Sequence, residues 1–260
     1  MQPPYTRKPG SDPLLLISES AHALSMSVPN RIAEQNRSAS LPELEPGITL
    51  LDVDAGLSRV IHALAVDSVG LSGGDALWID PGTHAQTAPL VDLAPTDRIL
   101  DRVRIARGFT PFQHVELLRS LPGLLTDRTE LVVVPQLDRY YRDETLFARE
   151  GRDMLVAGIA TLARVARERD IAVLVTRLKA DDFSEPIETA AQQELQCQST
   201  PFGPRFQTDT DETVVYPVDG GRWVQTTLAF WAEVLAARQP RYQQGEPTAI
   251  PQEVSADGAN

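Results

Sequence analysis

The feature that most constrains this chain is the order of its apolar runs between residues 48 and 80. Ile48-Thr49-Leu50-Leu51 is followed by a short Asp/Gly turn, an amphipathic pattern from Ser58 to Ser68, and a second run, Ala76-Leu77-Trp78-Ile79, that ends at Asp80. Strand, tight loop, helix and strand in that order open a parallel sheet, because parallel neighbours need a crossover and a helix is the compact one. Two further runs, Leu131–Val134 and Ile171–Thr176, flank a long amphipathic stretch from Glu150 to Arg169, with Leu155, Ile159, Leu162 and Ala166 on one face. Uninterrupted β-branched strands of this kind are buried on both faces. The expectation is an α/β fold with a mostly parallel central sheet, flanking helices and a C-terminal β-hairpin.

With 260 residues, 42 % of them hydrophobic and 23 % charged, the chain is long enough for one full-sized core. The pattern predicts a flexible N-terminus over residues 1–12, a single α/β domain over 13–239 and a disordered acidic tail over 240–260. Inside the domain it predicts an edge strand at Leu14–Ile17 and a connection over 30–40. Residues 83–95 read as a polar loop, Arg98–Arg102 as helical turns and Val103–Ala106 as a strand of mixed exposure. Phe112, Val115, Leu118 and Leu121 form a helical stripe that stops at Pro122-Gly123, and residues 135–143 read as an exposed polar-aromatic segment. Further on, a helix is expected over 188–195, a hairpin with arms 213–217 and 222–226, and a helix over 227–237 ended by Pro240.

Many folds that open with strand, loop and helix carry a glycine-rich loop ending in Lys-Ser/Thr, whose backbone N–H groups and ammonium hold phosphates. Here that loop reads Leu51-Asp52-Val53-Asp54-Ala55-Gly56-Leu57-Ser58. Two carboxylates stand where phosphates would lie, and Leu57 stands in place of the lysine. Gly56 and Ser58 are the positions that match such a nucleotide loop and are its candidate binding residues; Asp52 and Asp54 otherwise read as solvated turn residues. His62 and His114 read as partly buried, hydrogen-bonded side chains. Neither has a close second His or a Cys to make a zinc site, and no metal ligand set is expected. Ser58 has no His/Asp companions for a hydrolase triad.

The order of features resembles the ATPase core of the RecA/RadA recombinase family across residues 41–235. Gly47-Ile48-Thr49 through Gly56-Leu57-Ser58 and His62-Ala63-Leu64-Ala65-Val66 is similar to the family's first strand, Walker A loop and helix. Val103–Thr110 with Gln113-His114 resembles its "VARAFNSNHQ" segment, and Glu130–Val134 resembles its Walker B strand. The resemblance implies a RecA-like P-loop NTPase core, but the departures fall on the chemistry. The family's Walker A lysine falls on Leu57 and its Walker B aspartate on Pro135, and its catalytic glutamate falls on Pro81 or is absent. Phosphoryl transfer needs cation and metal charge around the transferred group; the expectation is therefore a pseudo-ATPase without cofactor or catalytic residues.

The family's first DNA loop corresponds to Asp138–Arg142, so Arg139, Tyr140, Tyr141 and Arg142 are the candidates for contact with single-stranded DNA. The competing reading pairs both arginines with Asp138, Asp143 and Glu144. The leading expectation is a non-catalytic RecA/RadA-like protein of recombination or repair that binds a protein partner or a recombinase-like paralog, with Phe109–Phe112 as a docking segment. The alternative is a weakly active ATP-binding paralog that contacts single-stranded DNA. A formal charge of −12, with Lys8 and Lys179 the only lysines among 24 basic residues, resembles proteins of salt-loving archaea. Such a charge offers nucleic acid no broad basic field. No apolar run nears about 20 residues and no secretion signal is evident, so neither a membrane span nor export is expected. Cys197 is the only cysteine, which excludes an intramolecular disulfide and fits a cytoplasmic setting.

Overall fold

A computed structural model describes residues 41–243 except 54–58, 83, 84, 86, 210 and 216–227. Its centre is a mixed sheet of eight strands: β1 (Gly47–Val53), β2 (Asp75–Pro81), β3 (Val103–Gly108), β4 (Thr129–Val134), β5 (Ala172–Val175), β6 (Gln193–Thr200), β7 (Gly203–Gln207) and β8 (Glu212–Val214). Their spatial order is β3-β2-β4-β5-β1-β6-β7-β8. The first six are parallel, and β7 and β8 are antiparallel additions. The chain is thus α/β with flanking helices, as the apolar runs predict.

The helices are α1 (Val60–Ser72), α2 (Thr87–Leu93), α3 (Asp97–Leu100), α4 (Pro111–Leu124), α5 (Ala148–Arg169), α6 (Glu185–Ala190) and α7 (Leu228–Tyr242). Connections from β1 to β2 and from β2 to β3 move toward the β3 edge; those from β3 to β4, β4 to β5 and β5 to β6 move the other way. Right-handed crossovers running in opposite directions place their helices on opposite faces. Accordingly α1, α2 and α3, joined by α7, pack on one face, and α4, α5 and α6 on the other. The strands serve both layers by alternation: Leu131 and Val133 face the α1 side, Val132 and Val134 the α5 side. Both sets are buried, which is why this run shows no polar alternation.

Several elements differ from expectation. Helix α1, expected as amphipathic, is buried on nearly all sides from Val60 to Gly70; it stops at Gly73, whose left-handed φ of 66° lets its N–H reach the Val69 carbonyl at 3.0 Å. Gly70 is inside the helix because the Tyr242 ring lies on it; an added Cβ would sit 2.8 Å from Cδ1. Residues 83–95, expected as polar loop, contain α2, which buries Leu90 and Leu93 and accommodates Pro89 in its first turn. In α4 the stripe is Val115, Leu118 and Leu121, whereas Phe112 is 58 % exposed, and the helix continues through Pro122. Likewise α7 extends through Pro240 to Tyr242.

The helix expected over 188–195 is instead the end of α6 followed by β6. Gln193–Cys197 pairs with β1, so backbone hydrogen bonds hold a strand that has few apolar side chains. The antiparallel hairpin joins β6 and β7 across Pro201 and Phe202; β8 then pairs with β7. The expected hairpin arm 222–226, the strand at 14–17 and the connection at 30–40 lie outside the described residues.

Candidate functional site

In open α/β sheets ligands bind beyond the carboxyl ends of the strands. In this chain that edge carries three groups of carboxylates and guanidiniums. The first joins β1, the residue two beyond β5, and α6. Arg177 donates from Nε to Asp52 Oδ1 at 3.0 Å and from Nη2 to Asp52 Oδ2, while Nη1 reaches Glu188 Oε2 at 3.0 Å. Burial alone would lower the Arg177 pKa, but the hydrogen bonds and charges of Asp52 and Glu188 raise it above its ordinary value. Nearby Glu194 is pushed up, first by burial and then by the charge of Glu188.

The second group ties the segment after β4 to the segment after β5. Asp138, 0 % exposed, accepts from the Leu178 N–H at 2.6 Å and from Arg142 Nε at 2.6 Å. Arg142 also holds Asp181 through Nη1 (2.9 Å) and Nη2 (2.6 Å), donates to the Lys179 carbonyl, and lies 4.7 Å from the Phe183 ring centre. The Arg142 hydrogen bond holds Asp181 well below the usual carboxylate range, although burial opposes it. Backbone bonds complete the tie: Gln136 N–H donates to Thr176 Oγ1 at 2.7 Å and Leu137 N–H to the Thr176 carbonyl at 2.9 Å.

The third group lies where β2 and β4 are neighbours and their connections diverge. Asp80, 0 % exposed, pairs with Arg107 Nε at 3.0 Å, and Arg107 Nη2 donates to the Ala85 carbonyl. His114 is buried, with Nδ1 2.8 Å from the Tyr141 hydroxyl. Burial lowers its pKa to about 4, against the opposing charge of Asp80. Burial likewise raises the Tyr141 phenol, against Arg119.

Gly56 and Ser58 lie outside the described residues, with Asp54 and Leu57. Asp52 is a strand residue and ion-paired, where a solvated turn carboxylate was expected. Pro81 is the last residue of β2, paired with Gly108, and Pro135 directly follows β4. The segment 135–143 is less exposed than expected: Leu137, Asp138 and Tyr141 are buried. They are buried because the segment packs against α5 and α4, with the Tyr141 carbonyl against Gly151 and its hydroxyl beside His114, while the Leu137 N–H bonds to the Thr176 carbonyl after β5. Of the four nucleic-acid candidates, Tyr141 is 1 % exposed and Arg142 is held by two carboxylates. Tyr140 donates to the Gly108 carbonyl at 3.1 Å, and Arg139 Nη1 donates to Gln136 Oε1 at 2.9 Å. A base cannot stack on Tyr141 in this conformation. His62 is buried against Trp78, ring centres 5.0 Å apart.

The Arg142–Asp138 spacing of four residues is visible in the sequence. Arg107 and Glu188 are participants to which sequence reasoning gave no role, and the meeting of Arg177 with an aspartate 125 residues away has no local signal. Among the described residues no group of three His, Cys, Asp or Glu is placed to hold a metal, and no helix is long and apolar enough to cross a membrane. Neither a scan against protein-family models nor a search of curated proteins finds a match to the chain.

Proposed function

We propose that this chain is a non-catalytic RecA/RadA-like protein that acts by binding another protein, with a recombination or repair factor or an ATP-competent paralog as the partner. The observation that carries the reading is the Asp52–Arg177–Glu188 network at the carboxyl end of β1. A nucleotide site there needs uncommitted positive charge and a carboxylate free to hold metal. Arg177 is instead neutralised by two of the protein's own carboxylates, and Pro135 occupies the position after β4 where the resemblance places the metal-binding aspartate. The opening β1–α1–β2 unit and the long α5 between two interior strands support the RecA-like core. The tied segments after β4 and β5 support protein binding over DNA binding, since Arg142 is spent within the fold.

The direct test is calorimetry with ATP–Mg²⁺ at high KCl, the condition favoured by a nearly lysine-free acidic surface. No binding heat is expected for the wild type. Tight, saturable binding would overturn the reading.

A further inference from the structure

We draw no further inference here: the strongest candidate, the exposed groove lined from α4 by Arg119 and from α5 and its lead-in by Phe147, Met154 and Ala157, is an unpartnered, partly apolar face of mixed charge, and nothing in the structure shows what covers it.

Discussion

Asp138 shows how much of the carboxyl edge rests on one side chain. Its two oxygens satisfy the Leu178 N–H and the Arg142 guanidinium, and both bonds are out of water on the Asp138 side. Breaking a buried pair by removing one partner costs more than the pair contributes, because the remaining groups stay buried without their acceptor. Asp138→Ala is therefore expected to lose about 3 kcal/mol of stability, with Asp138→Asn losing less because an amide oxygen still accepts. Denaturant unfolding at constant high salt measures this, and equal, near-zero losses would show that the tie between the two segments contributes little. His114 sets a pH dependence. Its folded pKa of about 4 lies below the unfolded value of 6.5, so the unfolded chain binds more protons between these limits. This stability is complete above pH 6.5 and is lost as pH falls through about 4. The expected loss is on the order of 3 kcal/mol. The charge of Asp80 opposes the effect of burial on His114, and Arg119 acts on the neighbouring Tyr141. The pH profile of His114→Phe, subtracted from wild type, is expected to isolate this slope; identical profiles would exclude His114 as its source.

Between elements, close approach depends on absent side chains. Gly151 in α5 lies against the 3₁₀ turn Tyr140–Arg142; a Cβ there would stand 2.1 Å from the Tyr141 carbonyl oxygen. Backbone cannot step aside as a flexible side chain does, so the helix or the turn must move. Alanine normally improves a helix interior by roughly 1 kcal/mol, but here the clash is expected to outweigh that gain and destabilise by about 2 kcal/mol. A thermal melt of Gly151→Ala that matched or exceeded wild type would contradict this packing. The same logic applies at α1, where Gly70 seats Tyr242, whose hydroxyl donates to the buried Asp67 beside Arg238. That group attaches α7 to α1 on the opposite face from the tied segments.

For the whole molecule, a formal charge of −12 disfavours the compact state through self-repulsion, which added salt screens over about 10 Å at 0.1 M. Stability is expected to rise with KCl at low concentrations and then level off, because the Asp67–Arg238 and Asp138–Arg142 pairs have little solvent exposure to screen. A melting temperature that fell steadily with KCl would mean that surface attraction outweighs repulsion. The sequence by itself determined the sheet's interior and two of its crossovers. Ile48–Leu51, Ala76–Ile79, Leu131–Val134 and Ile171–Thr176 are apolar runs, the α5 pattern recurs at helical spacing, and α1 is marked by a nearly continuous apolar stretch. Such signals are local, so they survive without knowledge of the fold. Only the tertiary structure decided that the glutamine-rich Gln193–Thr200 is a strand, since its partner is the backbone of β1 and its side chains give little sign of it. It also decided that Arg177 answers Asp52 and that Leu137 and Tyr141 are buried. Those facts depend on which strand ends the crossovers bring side by side, a property of the assembled sheet that no window of neighbouring residues contains.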